Sequence, residues 1–209
     1  MKLNLITAPL TEPVSLADIE GQLQLNTGDI TSAGQASTVT GYLKTMRGRA
    51  ESITRRQLVT AVYEMVLESF PINNGPIELP RPPLQSVQSI KYYDTTGTQI
   101  TLDVALYRVL SETSPKCRPG LVVPAYGQSW PSTRDDYDMV TIQFTAGYSS
   151  AAPAPINPLP QEIIDWIKLN VGTMWAIRES QTILPGSFKE SDFRTLADSI
   201  LYDFKVFTL

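Results

Sequence analysis

The chain contains no histidine. That removes the side chain most often used as a general base near neutral pH, and the commonest metal ligand. Its one cysteine, Cys117, excludes an intrachain disulfide and a cysteine-built zinc cluster. With no histidine to activate it, Cys117 reads as an incidental thiol rather than a nucleophile. No apolar run approaches the roughly 20 residues needed to cross a bilayer. The opening Met1–Leu5 is followed too soon by Pro9 and Glu12 to be a secretory signal. The expectation is a soluble chain made and first kept in the cytoplasm. Positive charge is also short: the net charge is −4 and the pI about 4.9. DNA binding without sequence preference runs on phosphate neutralisation, so this balance argues against a dedicated DNA binder, though not against a protein that DNA passes.

What is present is ordinary for a globular protein. There are 209 residues, 42% of them apolar and 18% charged, enough for one ample core or two small ones. The stretch Ile77–Asp94 divides them. Pro80, Pro82 and Pro83 cannot donate backbone hydrogen bonds, so the segment is neither helix nor central strand until it opens into a strand over Val87–Tyr93. Before it the apolar residues recur mostly at helical spacing, and after it at strand spacing.

In the N-terminal block, Ser15 fits a helix N-cap and Asp18 completes a Ser-x-x-Asp box, with Val14 and Ile19 at the staple positions. Leu16, Ile19 and Leu23 form the stripe of this helix, expected within Thr11–Leu25, and Asn26–Gln35 reads as a loop. A second helix is predicted over Ala36–Arg56, because Val39, Leu43, Met46, Ala50 and Ile53 follow 4-3-4-3 spacing. Lys44, Arg47, Arg49, Arg55 and Arg56 fall outside that stripe. They are either a solvated face or a basic patch turned to a partner or a channel.

From Leu58 the period becomes two. Strands are predicted at Ala61–Leu67, Ile77–Leu79, Val87–Tyr93, Gln99–Leu102, Tyr107–Leu110, Gly120–Val123 and Met139–Phe144, with hairpin-turn chemistry at Asp94–Gly97. A proline-rich link follows at 151–158. From Pro160 to about Arg178, Ile163, Ile164, Ile167, Val171, Met174 and Trp175 line one helix face, and Trp166 and Ile177 widen it toward a second contact. Ser191 caps a last helix ending near Phe204. The tail Lys205–Leu209, tipped by Phe207 and Leu209, has no periodic place in a core. The expected fold is α+β: a bundle of N- and C-terminal helices (1–57 and 159–209) with an inserted antiparallel sheet or small barrel (58–150).

The chemistry is sparse. There is no Gly-x-x-x-x-Gly-Lys phosphate loop and no Gly-x-Gly-x-x-Gly fingerprint. Gly127-Gln128-Ser129-Trp130-Pro131 half-resembles a nucleophile elbow, but no histidine exists to complete it. Asp135, Asp136 and Asp138 lack the glycine and distal glutamate of a calcium loop and read first as a solvated acidic turn, second as a nuclease-like metal cluster. No catalytic residue, cofactor or metal is assigned. The alternative function is a binding module whose β insertion recognises a ligand or partner protein, ahead of the nuclease-like reading.

Several segments in order resemble one family. They are Leu5-Ile6-Thr7-Ala8-Pro9 with Glu12–Leu16, then Ala50–Leu58, then Leu79-Pro80-Arg81-Pro82-Pro83-Leu84 with its following strand. Trp130-Pro131, Val140–Tyr148, and Pro160 with its helix through Trp175 and Arg178-Glu179 continue the match. Together they resemble the bacteriophage head–tail connector (adaptor, head-completion) proteins, the group labelled gp6-like or gp8-like. The segment beyond Asp203 is only loosely similar, and 26–35 lacks the expected acidic doublet. The resemblance implies a non-enzymatic virion protein at the head–tail interface, assembled from the host cytoplasm. It implies a homo-oligomeric ring, typically twelvefold, below the portal protein, with a stopper or tail protein on the other side. DNA would pass through the lumen without specific binding, and no membrane is involved. Candidate interface residues are Lys44, Arg47, Arg49, Arg55, Arg56, Trp166, Ile177, Phe204, Phe207 and Leu209.

Overall fold

The computed structural model describes residues 1–148, 158–176 and 198–207. The chain divides into two units: Met1–Leu10 with Val59–Pro158, and Thr11–Leu58 with Leu159–Leu209. The first ten residues therefore belong with the β segment rather than with the helices.

The β unit holds two open antiparallel sheets, not the small barrel that the strand count allowed. Its strands are β1 (Lys2–Thr7), β2 (Ala61–Leu67), β3 (Ile77–Leu79), β4 (Leu84–Tyr93), β5 (Gln99–Thr101), β6 (Tyr107–Leu110), β7 (Gly120–Pro124) and β8 (Val140–Ala146). One sheet has the order β1-β2-β8-β4-β5 and the other β3-β7-β6. In the larger sheet β8 is central. It pairs Val140 with Leu67 and Ala146 with Ala61 on one side, and Tyr92 to Leu84 on the other. Alternate residues Val140, Ile142, Phe144 and Ala146 are buried, as the period of two requires. They join Tyr63, Met65, Ile90, Ile77, Leu79 and Val122 in one core, which both sheets share. Tyr63 stacks on Phe144 at 5.9 Å. Asp94 Oδ1 accepts from the backbone N–H groups of Thr96 and Thr98, which shapes the β4–β5 turn and lets Gly97 take its left-handed φ of 84°.

The helical unit contains α1 (Leu16–Gln22), α2 (Asp29–Ser32), α3 (Ala36–Thr54) and α4 (Gln161–Ala176). Residues 198–202 are also helical. The Ser15–Asp18 capping box forms in both directions, and Val14 and Ile19 are buried. α2 replaces part of the expected loop. The buried Glu20 carboxylate accepts from the N–H groups of Gly28 and Ile30 at 2.8 and 2.9 Å, supplying the acceptors that the first turn of α2 needs. α4 packs against α3 and α1 through Ile163, Trp166, Ile167 and Val171, all buried.

One expectation is overturned at the C-terminal end. Val206 is buried and its N–H donates to Thr54 O at 2.9 Å, so the chain after Phe204 is partly built into the helical unit. A single buried side chain after a helix carries no periodicity, and the sequence pattern could not show it. The start of the last helix at Ser191 lies outside the described residues, as does nearly all of the proline link.

Candidate functional site

The stripe on α3 buries Val39, Leu43 and Ala50 and leaves the basic residues on the remaining arc. They do not act alike. Arg47 donates from Nε to Glu12 Oε2 at 2.8 Å and from Nη1 to both Glu51 oxygens at 3.2 Å. Glu51 Oε1 also accepts from Gln57 Nε2 and from the N–H of Leu58. Burial works against the Arg47 charge, but the bond to Glu12 and the Glu51 carboxylate outweigh it and hold its pKa above the ordinary value. Arg56 is buried and donates from Nε to the Phe204 carbonyl at 2.6 Å. Arg49 pairs with Asp198 at 3.1 Å near the surface. Lys44 and Arg55 are exposed, Arg55 in a left-handed conformation that ends the helix. Of the five residues, Arg47 and Arg56 are thus committed within the unit, and Lys44, Arg49 and Arg55 form its basic surface.

The apolar candidates also separate. Trp166 is buried, and its indole N–H has no acceptor among the described residues. Phe204 is buried, whereas Phe207 is 77% exposed with the Lys205 ammonium 5.8 Å from its ring centre. Ile177 and Leu209 lie outside the described residues.

The β unit presents two adjoining hollows at the end of the larger sheet where β2 stops and β8 begins. One, of about 450 Å³, is lined by Glu68, Ser69, Thr133, Arg134, Asp135, Asp136 and Tyr137. Asp138 is drawn aside to pair with Lys2, and Asp136 sits 3.9 Å from Arg134. The three aspartates therefore do not converge on one point. No group of three histidine, cysteine or carboxylate side chains able to hold a metal occurs among the described residues. The second hollow, of about 390 Å³, lies beside Phe70, Asn73, Asn74 and Trp130. Trp130 stacks on Phe70 with centres 5.0 Å apart, donates from Nε1 to Gly75 O, and its N–H reaches Asn74 Oδ1. Asn73 and Asn74 both have φ of 57°, a conformation asparagine tolerates better than most residues. The sequence flagged the aspartates and Trp130 but not Glu68 or Asn74, whose partners are distant along the chain.

No protein-family model matches the sequence, and no curated protein does. Among solved structures, a chain from the neck of the empty GTA particle computed with C6 symmetry aligns at a TM-score of 0.71 and 18% identity, covering 100% of this chain and 97% of that one. The chain has the fold of a particle-neck chain. A chain from the virion of the native gene transfer agent (GTA) particle gives the same values. One from the neck of the native GTA particle computed with C12 symmetry gives 0.66 at 16% identity. The likeness in fold thus spans both units. No helix among the described residues is long and apolar enough to cross a membrane.

Proposed function

We propose that this chain is a structural adaptor of a tailed-phage head–tail connector. It forms a ring below the portal, twelvefold as in the neck computed with C12 symmetry, extends the DNA channel and seats the stopper or tail protein. The observation that carries this reading is end-to-end agreement with neck-particle chains at TM-scores up to 0.71, over both units at once. A shared module would have matched one unit only. The residues agree with it: Arg47 of α3 and Arg56 just beyond it are spent on bonds within their own unit, and the aspartates of the β unit are splayed rather than convergent. Net negative charge suits a wall past which DNA must slide, since it avoids tight phosphate contacts. The exposed Lys44, Arg49 and Arg55, together with Phe207, are the surface assigned to neighbouring subunits or the portal. Mixing the purified chain with the portal of the same phage should give ring-on-ring particles by negative-stain electron microscopy. Failure to associate at any salt concentration would sink the reading.

A further inference from the structure

The β unit carries two unlike surfaces. β8 runs from Val140 to Ala146, about 20 Å at the rise of an extended strand. At its Val140 end lies the hollow holding Glu68, Asp135 and the Arg134–Asp136 pair. Neither Glu68 nor Asp135 makes an ion pair among the described residues. Beside it, Ile72 and Tyr137 are 86% and 76% exposed. At its Ala146 end lies the β6–β7 loop. Tyr148, two residues past β8, donates its hydroxyl to Pro115 O at 2.6 Å, and Gly120 lies against Leu84, which pairs with Ala146. This loop carries Lys116, Arg118 and Glu112, whose carboxylate accepts from the Arg118 backbone N–H, and β6, which leads into it, carries Arg108 opposite Val123. β6 is the outer strand of its sheet, with Arg108, Val109 and Leu110 all exposed. The guanidinium groups of Arg108 and Arg118 make no ion pair among the described residues.

An outer strand with exposed valine and leucine and unpaired arginines is a ready docking edge. The matching surface is the hollow, where Glu68 and Asp135 stand beside the Arg134–Asp136 pair and exposed apolar side chains lie at the rim. We propose that the β6 rim of one copy, with Arg108 and Arg118, seats against the Glu68–Asp135 hollow of the next copy. The occupant of the hollow is therefore a second copy of this chain. Because the two surfaces differ, the contact is head-to-tail and repeats from copy to copy, as a ring or filament requires. The inference rests on the ring reading above, for which it names the contacting surfaces. Apolar contact between Val109, Leu110, Ile72 and Tyr137 supplies attraction, and the opposite charges fix direction and exclude head-to-head pairing.

The test uses the full chain in sedimentation velocity, at about 0.05 M and about 0.5 M salt, which span strong and weak screening. The wild type should self-associate at low salt and weaken by roughly tenfold or more at high salt. The double variants R108E/R118E and E68K/D135K should each be monomeric, because each makes the two surfaces alike in sign. An equimolar mixture of the two should associate again. The neutral pairs R108Q/R118Q and E68Q/D135N, gentler on folding, should each weaken association. A wild type that stays monomeric at low salt, variants that associate as the wild type does, or a mixture that stays monomeric would each overturn the contact. A portal-bound ring that forms unchanged in both reversal variants overturns this contact and leaves the ring reading standing. Restored association in the mixture with no ring on the portal does the reverse.

Discussion

Arg56 donates from Nε to the backbone carbonyl of Phe204 at 2.6 Å, and both residues are buried. The end of α3 is thereby tied to the C-terminal segment of the same unit by a charge-assisted bond. Replacing Arg56 by alanine leaves a carbonyl without this donor and opens a void, so a loss of about 2–4 kcal/mol is expected. Urea unfolding followed by circular dichroism measures it. Arg56→Lys should recover only part, since an ammonium lacks the planar reach of the guanidinium. A change below about 0.5 kcal/mol for Arg56→Ala would show that the bond does not stabilise the unit.

Val206 extends the same tie. Its N–H meets Thr54 O at 2.9 Å and its side chain is buried, while Phe207 is exposed. Truncation before Lys205 should therefore cost about 1–3 kcal/mol, from one backbone bond and one buried valine. Phe207→Ala should leave thermal unfolding nearly unmoved yet weaken portal binding, if the exposed ring is a docking anchor. Equal melting temperatures for the truncated and full chains would contradict the first expectation, and unchanged portal affinity the second.

The capping box at Ser15 gives a pH dependence with a definite sign. The Ser15 hydroxyl and backbone N–H both bond the Asp18 carboxylate and hold its pKa below the ordinary 3.8, with Lys168 adding to the effect. A carboxyl whose pKa is lower in the folded state binds fewer protons there, so acid favours unfolding. Its contribution is complete above the ordinary value and disappears as the pH falls through the lower, folded one. Asp18→Asn should flatten stability against pH below about 4 and leave the shape unchanged above about 5. Ser15→Ala should cost about 1 kcal/mol at neutral pH. If the slope below pH 4 is the same in Asp18→Asn as in the wild type, other carboxylates carry it.

Features of this local kind are legible in the sequence, because each is decided by neighbours along the chain. Ser15 and Asp18 are three residues apart, the α3 stripe repeats within one helix, and Asp94–Gly97 carries its turn chemistry in four consecutive residues. β1 leaves no such mark. It is an edge strand whose Leu5 and Ile6 are both exposed, so no alternation reveals it, and only pairing with Ala61–Leu67 creates it. The split into two sheets is equally hidden, since β3, β6 and β7 look like any other short strands until their partners are known. The basic arc of α3 reads as one face by helical geometry. Its division into Arg47 with Glu12 and Glu51, Arg56 with Phe204, and three surface residues depends on groups brought in by folding. For the same reason Glu68 joins the Asp135 hollow only in three dimensions.

Gly147 makes the sharpest demand on residue type. Its φ is 123°, a region closed to side-chain-bearing residues, and a Cβ built there would sit 2.6 Å from the carbonyl carbon and oxygen of Val59 and 2.8 Å from Thr60 N. These are backbone atoms, which cannot turn aside. Gly147 N–H donates to Pro83 O, and its carbonyl accepts from Gln85 Nε2, so the segment after β8 is fixed on both of its own backbone groups. Gly147→Ala must therefore move the chain entering β2 or give up these bonds. The expected cost is at least about 3 kcal/mol, the range for strain at a special backbone conformation combined with a lost bond. Gly28→Ala serves as the control: its φ is 91°, but nothing lies within 4 Å of the added methyl, so it carries the conformational penalty without the clash. Thermal unfolding of the two variants side by side separates the contributions. Equal melting temperatures would show that the close approach of Val59 is relieved at no cost.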